Sequence, residues 1–240
     1  MPQATGLLVL ISLPYLIGRA TPESLYYRWR MAGQDNNEMA VETLDELHAL
    51  YGEPVPTSIT KEVDYLTSAH QQWVRESSFL VLATAGPNGL DCSPRGDQPG
   101  FVAVEDSTTI LLPDRRGNNR LDSLRNIVRD PRVALLFLVP GITTTLRVNG
   151  RARILATPDL TSRFEIDGKA PATVIEVTVE TAYTQCPKAL IRSELWNPDL
   201  HRQPFEFPTG GQILAEITNG SFDAESHDAA YPQRIKETIY

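Results

Sequence analysis

Between Pro113 and Arg120 the chain reads Pro-Asp-Arg-Arg-Gly-Asn-Asn-Arg and runs straight into a helical pattern at Leu121–Arg129. Arg115, Arg116 and Arg120 thus precede a helix start, where unpaired backbone N–H groups and the helix dipole already favour an anion. Gly117 lets the backbone approach a ligand closely, and Asn118 or Asn119 can cap the helix while donating outward. Guanidinium forks match phosphate oxygens two at a time. Together these residues describe a phosphate pocket. The bland alternative is a solvated basic loop that pairs with some of the 30 acidic side chains.

A second group, Ser93-Pro94-Arg95-Gly96-Asp97, closes a short strand. Arg95 can reach the same phosphate if its strand and the one ending at Pro113 are neighbours. Taken alone, it is an ordinary surface cation whose ion pair is worth roughly 0–1 kcal/mol. The four histidines, His48, His70, His201 and His227, all lie outside these motifs. No dedicated acid–base catalyst stands out.

The elements that must carry these groups are helices first and strands after. Val41, Leu44, Leu47 and Tyr51 recur at helical spacing, and Gly52 with Pro54 ends that helix. A second helix is expected after Thr60, with Val63, Leu66, Trp73 and Val74 on its apolar face. Strands are expected at Phe79–Ala85, Leu90–Arg95, Phe101–Glu105, Thr108–Leu112, Val133–Val139, Thr144–Leu155 and Thr173–Val179. Gly86-Pro87-Asn88-Gly89 marks the first hairpin turn and Asp106-Ser107 another. The helix at Leu121–Arg129 should pack through Leu121, Leu124 and Val128. Lys188–Leu195 reads as a short final helix, and residues 201–240 as a wrapping or frayed tail. Seven or so short strands with inserted helices argue for a closed antiparallel barrel, mainly β with flanking helices. No βαβ alternation and no GxGxxG motif support a Rossmann domain.

Composition narrows the classes. The 240 residues are 41% hydrophobic and 22% charged, enough for a packed core and too apolar for disorder. With 22 basic against 30 acidic residues the net charge is −8. Nucleic-acid binding through the arginine loop therefore fails, on charge and on the lack of interleaved aromatics. Cys92 and Cys186 have no metal-ligand or CxxC spacing, which points to a reducing, cytoplasmic setting, with Cys186 a small buried residue. Leu7–Ile17 is apolar but too short for a membrane helix. It reads as part of an N-terminal extension, 1–30, or of sequence ahead of a true start at Met31, with a weak signal peptide as the alternative. A helical lead-in (31–59), a main domain (60–200) and a tail (201–240) follow.

Four stretches carry a resemblance: SPRGDQPGFVAVED (93–106), LLPDRRGNNRLDSLRNIVRDPRVALLFLVPG (111–141), TLRVNGRARI (145–154) and KALIRSELW (188–196). Over roughly residues 60–200 the chain resembles the pyridoxamine 5′-phosphate oxidase-like family of FMN-binding split barrels, in particular a bacterial subgroup of FMN-dependent enzymes. The resemblance implies a six-stranded antiparallel split β-barrel and a homodimer with FMN between the subunits. It implies that Arg95, Asn118, Asn119 and Arg120 hold the FMN phosphate, and that Arg115 and Arg116 reach the phosphate or the polar edge of the ring. Main chain around Leu112–Asp114 would then lie along the isoalloxazine. Arg147, Asn149, Lys188, Arg192, Ser193 and Trp196 are the candidates for the facing subunit's contribution, although Arg147 can equally pair across the sheet and Trp196 can equally be core.

The resemblance has departures. The arginine- and tryptophan-rich C-terminal signature that grips substrate phosphate in pyridoxamine phosphate oxidases is not found in 200–240, so little or no such activity is expected. The subgroup commonly has a His before its Cys, where this chain has Gln185 before Cys186. The expected function is FMN-dependent oxidoreduction with the substrate and electron donor open. A non-catalytic FMN carrier or sensor is the alternative, and a haem-degrading barrel a weaker third for want of a placed histidine.

Overall fold

The computed structural model describes residues 40–87 and 89–240. The N-terminal extension, its signal-peptide alternative, the Met31 start and Asn88 of the first turn lie outside the described residues. The described residues fall into two units that divide between Glu53 and Pro54.

In the first unit, helix α1 (Leu44–Tyr51) starts at Thr43. Thr43 Oγ1 accepts from the Glu46 N–H, and the Glu46 carboxylate accepts from the Thr43 N–H. This reciprocal pair satisfies two orphan donors at once. Gly52, at φ 67°, ends the helix in a conformation that other residues reach only with strain.

The second unit opens with α2 (Pro56–Thr60) and α3 (Ser68–Glu76). The expected helix after Thr60 therefore begins about two turns later than the sequence suggests. Thr67, not Thr60, supplies the cap, accepting from the His70 N–H, while Thr60 donates back to the Pro56 carbonyl inside α2. Val63 lies between the two helices and bridges to Ala182 in the sheet. Val74 is the residue α3 buries.

The sheet follows, built from β1 (Phe79–Gly86), β2 (Gly89–Gly96), β3 (Ala103–Val104), β4 (Thr109–Asp114), β5 (Arg132–Leu138), β6 (Thr145–Leu155) and β7 (Thr173–Gln185). Its order is β2-β1-β5-β6-β7-β4-β3, with neighbouring strands antiparallel throughout. The expected six-stranded closed barrel is thus corrected: among the described residues the sheet has seven strands, and no hydrogen-bonded ladder closes it. The reason lies between Asp97 and Val102. Phe101 and Val102 turn inward to be 7% and 1% exposed, and only two residues remain to form β3. A strand expected over five residues gives its apolar side chains to the core instead.

β1, β5 and β6 alternate buried and exposed positions, as a sheet with one core-facing side requires. Their inward residues, among them Leu80, Leu82, Leu135, Phe137, Leu146 and Val148, form the centre of the core with Leu112, Ile175 and Val177. Helix α4 (Asp122–Arg129) packs against β1, β6 and β2, on the side of β1 that carries Leu80, Leu82 and Thr84. Asn126 Nδ2 donates to Thr84 Oγ1 at 3.1 Å, and Ser123 Oγ donates to Asp91 Oδ2 at 2.6 Å. Gly86 leaves the room that Asn126 occupies, since any Cβ there would collide with the Asn126 amide. Ile127 is the apolar residue that α4 buries; Val128, expected inward, is 77% exposed.

Short helix α5 (Pro158–Ser162) leads into β7, and α6 (Lys188–Ser193) leaves it. The last forty residues are not a frayed tail. A 3-10 turn (Pro198–Leu200) precedes them, and they hold a second (Pro204–Glu206) and helices α7 (Gly210–Ile217) and α8 (Ala224–Thr238). Thr209 and Asp223 cap these helices, and Asp228 of α8 accepts from the Gly211 N–H and Thr209 hydroxyl at the start of α7. Cys186, expected to be buried, is exposed, as is Cys92. Among the described residues no helix is long and apolar enough to cross a membrane.

The β6–β7 ladder shifts register at Asn149/Gly150, and a Cβ on Gly150 would strike the Thr178 carbonyl of β7. Gly150→Ala should lower stability by about 2–3 kcal/mol, read as the shift in urea unfolding midpoint. An unchanged midpoint would mean that the ladder yields at this point.

Candidate functional site

The first anchor of the site is where β4 runs out of partners. β3 pairs only with Ile110 and Leu111. Beyond them, Leu112, Pro113 and Asp114 keep β7 on one side and have no ladder with β3 on the other. Pro113 fits such a position, because its ring nitrogen has no hydrogen to donate to a ladder. A cavity of about 830 Å³ opens at Asp114, the end of this edge.

Loop 115–120 forms one wall. Its backbone is strained at the helix entry, with Asn119 and Leu121 both at φ 60°. A left-handed conformation at a non-glycine residue costs on the order of 1–2 kcal/mol and persists only where its surroundings enforce it. Leu121 is the N-cap of α4, and no side chain caps the helix. The expected cap from Asn118 or Asn119 is therefore corrected: Asn118 Oδ1 accepts from the Arg120 N–H, inside the loop. Asp122, Ser123 and Leu124, the first turn of α4, line the cavity next to that uncapped start.

Two ion pairs join this wall to β2, which lies at the far edge of the sheet. Arg95 Nη1 meets Asp114 Oδ1 at 2.7 Å, and Arg115 Nε meets Asp97 Oδ2 at 2.8 Å. Arg115 Nη1 also donates to the Phe164 carbonyl at 2.6 Å. The condition for Arg95 was that its strand neighbour the one ending at Pro113. In the ladder it does not; the side chains make the connection. Burial pushes the Asp114 carboxyl above the usual carboxylate range, and Arg95 opposes that rise without cancelling it.

The expected site residues separate into two sets. Arg95, Asp114, Arg115, Arg116, Asn118, Asn119 and Arg120 all line the one cavity, with Gly117 among them. Gly117 has open space where a Cβ would go. Arg120 pairs with Asp122 at the exposed rim, at 2.7 Å. Arg147, Lys188, Arg192 and Trp196 lie outside the cavity lining. Arg147 stacks over the Tyr183 ring at 5.1 Å, and Trp196 Nε1 donates to the Ile142 carbonyl.

Residues that sequence reasoning missed complete the walls. Ser93 donates to Ser123 Oγ, which has given its own proton to Asp91. Lys169, Thr173 and Tyr240 come from the turn before β7, from β7 itself and from beyond α8. Nothing local in the sequence distinguishes the last three. Five cationic side chains (Arg95, Arg115, Arg116, Arg120, Lys169) face three carboxylates (Asp91, Asp114, Asp122) around the cavity. Two buried polar atoms of its lining residues, Arg95 Nε and Thr173 Oγ1, have no hydrogen-bond partner. Such atoms are costly unless something else meets them.

The sequence model of the family described as "Pyridoxamine 5'-phosphate oxidase" matches residues 66–186. The chain belongs to that family. The matched span runs from just before α3 to the end of β7 and includes both arginine groups of the cavity. No curated protein matches the chain. Among solved structures, HupZ from Group A Streptococcus is 14% identical over 50% of this chain and 93% of its own, with a TM-score of 0.41. An FMN-binding protein from Syntrophomonas wolfei is 12% identical over 48% and 84%, with a TM-score of 0.38. General stress protein 26 from Bacillus anthracis is 15% identical over 46% and 86%, at 0.36.

The charges make one test direct. A carboxyl whose pKa is raised on folding favours the folded state below its unfolded pKa, and that contribution fades as pH rises through the folded value. Asp114 should therefore titrate above the ordinary Asp range by carboxyl-carbon NMR, and higher again in Arg95→Gln. A midpoint at or below the ordinary range would mean the ion pair outweighs burial.

Proposed function

We propose that this family member binds one FMN per chain in the 830 Å³ cavity and works as an FMN-dependent oxidoreductase. The observation that carries the reading is the convergence of Arg95 and loop 115–120 on an uncapped helix start with a net positive lining. A phosphate dianion answers each of those features. It brings negative charge to an excess of two cations and acceptors to N–H groups that no side chain caps. The unpartnered Arg95 Nε and Thr173 Oγ1 give a polar ligand two further points of attachment.

In this reading Arg120, Asn118, Asn119 and Arg116 hold the phosphate with the first turn of α4. Arg115 is braced by Asp97 and the Phe164 carbonyl, so it shapes the wall more than it follows the ligand. Asp114 keeps Arg95 aimed at the cavity. The free edge of Leu112–Asp114 lies along the isoalloxazine. Bound FMN would supply the hydride or electron transfer, and the chain supplies position and shielding. Arg147, Lys188, Arg192 and Trp196, remote from the cavity within one chain, are assigned to the facing subunit of a homodimer in a cytoplasmic setting.

A carrier or sensor is the second reading. The observation that favours it is that neither His nor Cys is among the lining residues. Turnover of the flavin by NAD(P)H separates the two readings. FMN titration, followed by quenching of flavin fluorescence, tests what they share. Arg120→Ala and Arg95→Ala should each weaken binding by roughly 1.5–3 kcal/mol, the range for a charge-assisted hydrogen bond. The two losses should be non-additive if both side chains meet one phosphate. Protein that stays colourless and cannot be reconstituted with FMN would end the proposal.

A further inference from the structure

The most unexpected residue of the cavity is Tyr240, brought there by α8 from the last stretch of the sequence. Three contacts fix it, each to a different part of the wall. Its hydroxyl donates to Asp97 Oδ1 at 2.8 Å. Its ring lies under the Arg115 guanidinium, 5.6 Å from the ring centroid. Its main-chain oxygen accepts from Lys169 Nζ at 3.2 Å. The tyrosine therefore ties together the end of β2, the loop after β4 and the turn before β7.

Asp97 makes this more than a chance surface contact. Its side chain is 2% exposed and divides its oxygens among three partners, Oδ2 to Arg115 and Oδ1 to Tyr240 and the Gln98 N–H. A buried carboxylate with that many donors is held in one orientation, and it holds Tyr240 in turn. The aromatic face adds a cation–π contact to the same guanidinium, worth about 0.5–1 kcal/mol at an exposed site.

We propose that Tyr240 is a ligand-binding residue of the flavin site, a wall that α8 supplies and that slows the escape of FMN. This rests on the FMN reading above. The wall consists of the ring over Arg115 and the hydroxyl on Asp97. Retaining the ring alone should retain part of the effect. Tyr240 therefore determines residence time, whereas Arg95 and Arg120 determine how well the phosphate is held.

The test compares the full-length wild type with Tyr240→Phe and Tyr240→Ala. FMN dissociation is timed by the return of free-flavin fluorescence after dilution. In Tyr240→Ala the rate should rise about tenfold or more, since losing the wall acts on departure of the flavin. Tyr240→Phe should fall between the two. Hydrogen exchange across Ala224–Thr238 gives a second readout: adding FMN should slow it in the wild type and not in Tyr240→Ala. Thermal unfolding of the flavin-free chains should stay cooperative, with a midpoint in Tyr240→Ala lowered only by the lost Asp97 and Arg115 contacts, which separates the effect from loss of fold. Unchanged dissociation in Tyr240→Ala, or tighter binding, would overturn the wall while leaving the FMN site standing. A wild type that binds no FMN would overturn both.

Discussion

The site depends on two ion pairs that span a gap in the sheet. β2 and β4 lie near opposite ends of the strand order, and no backbone ladder connects them. Arg95–Asp114 and Arg115–Asp97 make that connection with side chains. Both pairs are largely shielded, so salt screens them less than it would an exposed pair. Removing one partner of a buried pair leaves a charge stranded, at a cost of about 3–5 kcal/mol where burial is deep. Asp97 is the member closest to that limit. The cavity exists because the seam is made of side chains: a ladder would fill the space between the strands, and two salt bridges only cross it.

From this seam the other features acquire reasons. Phe101 and Val102 turn into the core, which shortens β3 and leaves Leu112–Asp114 without a ladder on that side. α4 is fastened to β1 through Asn126 and to β2 through Ser123, so its uncapped start faces the seam. The left-handed residues Asn119 and Leu121 make the chain turn sharply enough to enter that helix. Strain, an open edge and an excess of positive charge thus meet in one place, where a ligand has most to satisfy.

Much of this was legible in the residues. The arginine–asparagine loop, the helix it enters and the strands β1, β5 and β6 follow from periodicity and from turn and breaker residues. Arg95 and Asp114 were legible as polar residues near strand ends; that they meet across the sheet was not, because only the assembled fold sets that distance. The tail was half legible. Its Pro, Gly and Asp content suggested a wrapping or frayed segment, and its end does return to the cavity, but its helices were missed: Thr209-Gly210-Gly211-Gln212 is a capping box, with Gln212 returning a bond to the Thr209 N–H, and Asp223 is an N-cap. Those start signals outweighed the composition. At Thr60 the error ran the other way: a plausible cap lay one short helix too early, and Thr67 was better placed for the apolar positions of α3.

Pro94 stands in the middle of β2, opposite Val81 of β1, while among the described residues no strand pairs with the other side of β2. An exposed strand edge is a template on which a further chain can pair, and a row of such pairings is how soluble proteins begin to aggregate. A proline removes one hydrogen-bond donor from that row. The burial pattern of β2 also shows no fully buried position, so the strand has little apolar surface with which to reward a newcomer. The strand that carries Arg95 to the cavity is thereby guarded on its outer side against crowding and high concentration, and the open sheet can stay open without inviting an eighth strand.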